Sequence, residues 1–355
     1  MKDDDTNQNM NRTLLQGVRV IELAGLAPVP HCGMVLADFG ANVTLIQKPD
    51  QGDVVVEQRL ADKKTIQGLD LKSPEDRAKL KQLCKESDVL LDPYRPGVLE
   101  KMGLDPIDLL EENKGLVVCR LTGYGQTGPL SQEAGHDINY VAITGLMPTI
   151  SGHSCHRPWP PVNMLADFAG GGLTAAFGIV AALLKREKNG GHGCVIDCSM
   201  SEGLSYLASF VHRYYDMTHL WTDKYAAFSG DCPIYRTYAT KDRKWMAVGA
   251  LEPKFNQNLF KVLGIDKSIA DVYANPAEII AEMERIFKSK TRDEWTELFR
   301  GKNACVTPVL DIEEAAQFEH NLERKNFSGE GDKKFPNPAP RIYSKEDYKK
   351  LKSKI

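Results

Sequence analysis

No apolar run in this sequence is long enough to read as a membrane span. The best, residues 173–184, stops at Lys185-Arg186 after about three turns, whereas a bilayer needs ~20 residues. An excess of one charge is also missing. Lys and Arg number 45 against 48 Asp and Glu, a formal net charge of −3. That balance argues against a general polyanion binder, and so against nucleic acid as a partner, while leaving room for a local basic pocket. Paired cysteines are lacking too. The eight cysteines form no CxxC, and Cys194 and Cys198 lie in an apolar strand-like run without a His/Cys set beside them. They read as reduced, mostly buried thiols in a reducing compartment. The first twelve residues carry Asp3-Asp4-Asp5 and no apolar segment, which argues against a secretory signal or a mitochondrial presequence. At 42% hydrophobic and 26% charged over 355 residues, the chain has the composition of a globular protein of about two domains.

What is present is alternation. Residues 17–23 read as a buried strand, 31–39 as a helix stopped by Gly40, and 41–46 as a second strand, a βαβ unit. The pattern continues with a charged helix at 75–86, a strand at 87–91, a short helix at 106–112 and a strand at 116–121. Beyond them come an apolar helix from 173, ended by Gly190-Gly191, a strand at 194–198 and a long helix at 200–215. Such alternation implies an α/β fold with a mostly parallel, Rossmann-like sheet, and ligands beyond the carboxyl ends of its strands. From about residue 233 the pattern becomes a hairpin (235–238 with 245–249) followed by charged helices at 252–263, 276–289 and 291–299. The expected organisation is a large domain at 13–220, a smaller α+β domain at 221–315, and a segment at 316–355 that returns to the large one. Residues 327–340 read as loop. Neither GxGxxG nor GxxxxGK[ST] occurs, so a nicotinamide or P-loop assignment has no support.

Three residues could carry chemistry. His136 follows a glycine and precedes Asp137, which gives a near-neutral base a neighbouring carboxylate; a lone histidine of this kind is more often structural. Asp167 precedes Gly170-Gly171-Gly172 at the start of the apolar helix. Its bland reading is an N-cap; its functional one is a carboxyl beside glycines that let a ligand approach the helix start. Glu252 stands before Pro253 at a helix start, where a cap is the bland reading. There is no GxSxG and no HExxH. His153 and His156 sit in a Ser/Pro-rich loop without a carboxylate, so no metal site is expected. The remaining chemistry is acid–base or carboxylate nucleophile.

Gly135-His136-Asp137-Ile138-Asn139-Tyr140 and Leu165-Ala166-Asp167-Phe168-Ala169-Gly170-Gly171-Gly172 are specific together. With Gly123-Tyr124-Gly125-Gln126-Thr127-Gly128 and Gly249-Ala250-Leu251-Glu252-Pro253, they give a chain that resembles the family III CoA-transferases, and within them the α-methylacyl-CoA racemases, over residues 15 to about 340. The resemblance implies an interlocked homodimer, with each active site between the large domain of one chain and the small domain of the other. It implies that His136 and Asp167 are the two catalytic bases and that Glu252 reaches a site built mainly from the partner chain. Epimerising the carbon α to a thioester calls for such a pair, one group on each face, acting alternately as base and acid. The Asp137 main-chain N–H is the candidate donor to the enolate oxygen.

The resemblance further implies coenzyme A contacts at Lys48, at Leu69, Asp70, Leu71 and Lys72, and at Gly135, His136, Asp137, Ile138, Asn139 and Tyr140, with Arg95 an added candidate. No cofactor is implied beyond the coenzyme A of the substrate. Lys48 stands where the family usually has arginine, and Ser229-Gly230-Asp231-Cys232-Pro233 departs from its usual loop. Both changes bear on CoA or acyl-chain fit. The expected substrates are branched and sterol-derived 2-methylacyl-CoA thioesters, converted from (2R) to (2S) for β-oxidation. The terminal Ser353-Lys354-Ile355 is close to the Ser-Lys-Leu peroxisomal signal, which points to an import receptor and a peroxisomal address, with a mitochondrial share left open. Competing readings are a CoA-transferase using Asp167 as nucleophile and an inactive acyl-CoA-binding homologue.

Overall fold

The structure, a computed structural model, describes residues 13–49, 59–152, 157–331 and 333–352. Ser353-Lys354-Ile355, His153 and His156 lie outside the described residues. The chain forms two compact units, 1–145 with 161–209 and 338–355, and 146–160 with 210–337. These cuts fall at different places from the expected 220 and 315, and residues 146–160 join the second unit.

The first unit is built on a six-stranded sheet: β1 (Arg19–Leu23), β2 (Asn42–Gln47), β3 (Thr65–Gly68), β4 (Val89–Asp92), β5 (Val117–Thr122) and β6 (Cys194–Ser199). All pairings are parallel, in the order β3-β2-β1-β4-β5-β6, with Val20 facing Val43 on one side and Val89 on the other. Strand order reverses between β1 and β4, which is where ligands bind in such sheets. Every residue of β4 and β5 is buried, which explains why they are mostly apolar, with Asp92 and Arg120 buried as a pair. Helices α1 (Pro28–Asp38), α2 (Pro74–Lys85) and α3 (Pro106–Glu112) each begin at a proline, whose fixed φ suits a first turn. The Ser73 hydroxyl accepts the Asp76 N–H at the start of α2, with Glu75 and Asp76 in its first turn and Lys85 in its last.

Among the described residues, two charged pairs lie inside this unit: Arg120 on β5 with Asp92 on β4, at 2.9 Å, and Lys64 with Glu22. The Lys64 ammonium is 2.7 Å from Glu22 Oε2 and also donates to the Pro30 carbonyl at 2.8 Å, with both side chains almost fully buried. Burial pushes Glu22 up to about 7, with Lys64 pulling the other way. Gly33 makes room for the pair, since a Cβ there would lie 1.7 Å from Glu22 Oε2.

Several expectations change. β3 has no counterpart in the sequence reading: it is a short edge strand with Ile66 52% exposed, so it shows no apolar run. The helix expected from 173 begins at 164, as a π-helix (Met164–Leu173) continuing into α5 (Thr174–Lys188), with α4 (Asp137–Ala142) before it in the chain. The run of 25 residues contains an 18-residue window of mean hydropathy 1.6, long and apolar enough by length and composition to cross a membrane. Its buried positions, among them Gly170, Gly171, Ala175, Ile179 and Leu183, belong to the core of the first unit. The long helix expected at 200–215 breaks into α6 (Met200–Leu207) and a short helix at Ser209–Arg213. Residues 327–340 are not all loop, because Phe327–Ser328 pairs antiparallel with Phe335–Pro336.

The second unit holds the expected hairpin, β7 (Tyr235–Ala239) with β8 (Trp245–Gly249), to which β9 (Val306–Pro308) adds. Around it stand α7 (Pro253–Leu263), α8 (Pro276–Phe287) and α9 (Arg292–Phe299). Tyr238 stacks on Phe287 at 5.0 Å between ring centroids, and Trp295 packs against the same ring.

Candidate active site

The loop after β5 carries the first candidate base. His136 is the N-cap of α4, in extended backbone and exposed. Its N–H donates to Asn139 Oδ1 at 3.1 Å. The Tyr140 hydroxyl donates to the Gly135 carbonyl, and its ring lies edge-on to Tyr124 with centroids 4.9 Å apart. Gly123 is required here: a Cβ would fall 2.1 Å from the Tyr140 ring. The side chains of Asn139 and Tyr140 therefore hold the loop in place, while His136 and Ile138 face outward.

Asp167 is not an N-cap. It lies within the first turn of the π-helix, a wide-turned form that is rare and often found at functional sites. Burial first, and then the Asp137 carboxylate, push its pKa up to about 6. A hydrogen bond from the Asn163 side chain and the His136 charge act in the opposite direction. His136, Asp137 and Asp167 are thus electrostatic neighbours within the first unit. The three glycines do not open the helix to a ligand, as the sequence suggested. They are buried, and side chains there would strike the neighbouring helices: a Cβ on Gly170 would lie 2.6 Å from the Met200 carbonyl, and one on Gly172 2.5 Å from His31 Nδ1. Close packing against α1 and α6 explains them.

At the carboxyl ends of β1, β2 and β3 lies a cleft of about 510 Å³. Lys48, Leu69, Asp70, Leu71 and Lys72 all line it, and so do Arg77 and Lys101, which the sequence reading missed. Four cations there face one carboxylate, and that carboxylate is already engaged: Asp70 Oδ1 accepts the Lys72 N–H at 3.1 Å. Arg77 donates to the Leu71 and Lys72 carbonyls at 3.0 and 2.9 Å, so it shapes the segment as well as charging it. Lys48 and Lys72 come from the loops after β2 and β3, Arg77 from α2 and Lys101 from a short helix at Val98–Lys101, a cluster that suits a polyphosphate. Arg95 donates to the Gln132 carbonyl at 3.0 Å and acts electrostatically on Tyr140, which ties it to the His136 loop. Another cleft, of about 450 Å³, includes Arg19, Asp88 and Arg186 at the opposite end of the sheet. No candidate residue lines it, and Arg186 is paired with Asp88 at 3.0 Å.

Glu252 belongs to the second unit. It is at the N-cap position of α7, where its side chain makes no cap bond; the residue is exposed and is an electrostatic neighbour of Cys305. Among the described residues, no group of three or more His, Cys, Asp and Glu side chains could hold a metal ion.

Comparison with known proteins places the fold and the family. The model of CoA-transferase family III matches residues 15–351. A CaiB/BaiF CoA-transferase family protein of Caenorhabditis elegans is 58% identical over 96% of this chain and 98% of its own. Human alpha-methylacyl-CoA racemase is 45% identical over 92% of this chain and 86% of its own. The crystal structure of Rv3272 from M. tuberculosis superposes with a TM-score of 0.75 at 26% identity, covering 93% of this chain and 92% of that one. The basic cleft, the His136 loop and Asp167 therefore stand on a known scaffold, and the chain belongs to the family III CoA-transferases.

Proposed function

We propose that this protein epimerises 2-methylacyl-CoA thioesters by a two-base mechanism. The observation that carries the reading is Asp167: a carboxyl with a pKa raised to about 6, electrostatically coupled to His136, can hold or release a proton near neutrality. In one direction the His136 imidazole takes the α-proton, the C–H electron pair moves into the thioester carbonyl as an enolate, and Asp167 in its acid form returns a proton to the opposite face. In the other direction the roles exchange. The N–H of Asp137, the first residue of α4, is one of the donors a helix leaves unpaired, and it is assigned to the enolate oxygen. No electron is transferred overall, so the reaction calls for no cofactor beyond the coenzyme A carried by the substrate. The cleft with Lys48, Lys72, Arg77 and Lys101 is assigned to the nucleotide end.

The substrates proposed are branched and sterol-derived (2R)-2-methylacyl-CoA thioesters, delivered as (2S) epimers to β-oxidation. The tail Ser353-Lys354-Ile355 is assigned to peroxisomal import. A homodimer is proposed from the face of the first unit that carries Leu173, Phe177, Val180 and Leu184, between 42% and 75% exposed at helical spacing. Glu252 is proposed to complete the site of the partner chain.

The test is incubation with a (2R)-2-methylacyl-CoA in D₂O, followed by NMR. Loss of the α-proton with appearance of the (2S) epimer, without an acceptor acid, is expected. His136→Ala and Asp167→Ala should each lower the rate by ~10²–10⁴. Exchange that depends on an added free carboxylic acid would replace the racemase by a transferase with Asp167 as nucleophile.

A further inference from the structure

Asp137 is the first residue of α4 and is only 3% exposed. A carboxylate at a helix start usually faces water; this one turns inward. Its Oδ2 accepts the N–H of Ala166 at 2.7 Å and the N–H of Asp167 at 2.9 Å. Those two donors belong to the first turn of the helical run that starts at Met164, whose N–H groups have no partner within the helix. Asn163, at the N-cap position, supplies no cap bond to the helix. Asp137 supplies it instead, from 29 and 30 residues away in the chain. Its other oxygen, Oδ1, is buried without a hydrogen-bond partner. An unpaired buried oxygen is costly, and hydrogen bonding through Oδ2 does not remove that cost.

We propose that Asp137 is the positioning residue of this site: one carboxylate, adjacent in sequence to His136 and bonded to the main chain of Asp167, fixes where the two bases stand and holds a negative charge beside the Asp167 carboxyl. The inference rests on the two-base reading for its catalytic consequence, but not for its geometry. An asparagine at 137 can place its carbonyl oxygen where Oδ2 accepts both N–H groups and its amide where Oδ1 is unpaired. It keeps the strut and removes the charge. An alanine removes both.

The groups that act on Asp167 define what the substitution should do. From α4 and its cap these are Asp137, which raises its pKa, His136, which lowers it, and Tyr140, whose own pKa Asp167 raises. Asn163 donates a hydrogen bond. Of the other helices packed on the π-helix, α1 brings His31 against Phe168 with ring centroids 4.9 Å apart, and α6 carries Glu202. Neither is among the groups that shift Asp167. Among the described residues of this chain, Asp137 is thus the neighbouring charge that holds the proton on Asp167.

The experiment is a carbon-detected NMR titration of the Asp167 carboxyl in the full-length protein, wild type against Asp137→Asn, with the pH profile of α-proton exchange measured on the same samples. The Asp167 midpoint is expected to fall by about one unit in Asp137→Asn. The limb of the exchange profile governed by Asp167 is expected to move to lower pH by the same amount. In Asp137→Ala the amide signals of Ala166 and Asp167 should shift and exchange faster with solvent, and exchange activity should fall much further than in Asp137→Asn. An unchanged Asp167 midpoint in a folded Asp137→Asn protein overturns the proposal, as does equal activity loss in the two variants. If the wild type catalyses no exchange, the two-base reading fails, while the titration and amide signals still decide the role of Asp137.

Discussion

Replacing Asp167 by asparagine should make the protein more stable at neutral pH. The folded structure raises this carboxyl from an ordinary 3.8 to about 6, mainly by burial. The fold therefore holds the proton better than the unfolded chain does. Its contribution to stability is fully present below about pH 4 and is lost as pH rises through about 6. The shift is roughly two units, at ~1.4 kcal/mol each. Since the group is only half-buried and partly screened by water, the cost of ionising it in the fold comes to about 1–3 kcal/mol above pH 7. Asparagine never ionises, so Asp167→Asn escapes that cost while losing epimerisation. The assay is urea unfolding of both proteins by tryptophan fluorescence from pH 4.5 to 8. Glu22 and Asp92, also raised by burial, tilt both curves alike and cancel in the difference. The gain should be small at pH 4.5 and grow to its full size by pH 7.5. A difference that is flat across this range, or a variant less stable than wild type at pH 7.5, would refute the reasoning.

Two further outcomes follow from charges the fold places. Lys64→Met strands the buried Glu22 carboxylate and should cost about 3–5 kcal/mol in urea unfolding at pH 8, most of it recovered when Glu22→Gln is added; an undiminished loss in the double variant would mean that packing, not charge, dominates there. Lys101→Ala should weaken binding of a CoA thioester several-fold in calorimetry at low salt, with the difference shrinking as salt screens the cleft. Equal affinity at low salt would remove Lys101 from the nucleotide site.

How far the sequence discloses this molecule depends on whether a signal is local. β1, β2, β4 and β5 are legible because buried parallel strands are rich in apolar, β-branched residues, and α2 because its charged residues leave an amphipathic helical pattern. β3 is not legible, since an exposed edge strand has no such pattern. The glycines at 170–172 were visible but ambiguous. Small residues permit a ligand or a neighbouring helix to approach equally well, and only the positions of Met200 and His31 decide for the helix. Arg77 and Lys101 escaped notice because they come from two separate helices and meet Lys48 and Lys72 only at the strand ends. The motif from Gly135 to Tyr140 carries the same lesson. The family resemblance implies six ligand contacts there, yet Asn139 and Tyr140 anchor the loop on itself and Asp137 anchors it to the start of the Asp167 helix. The specificity of the motif thus resides largely in holding His136 and Asp167 in a fixed relation, a requirement that spans 30 residues of chain and that no local pattern can express.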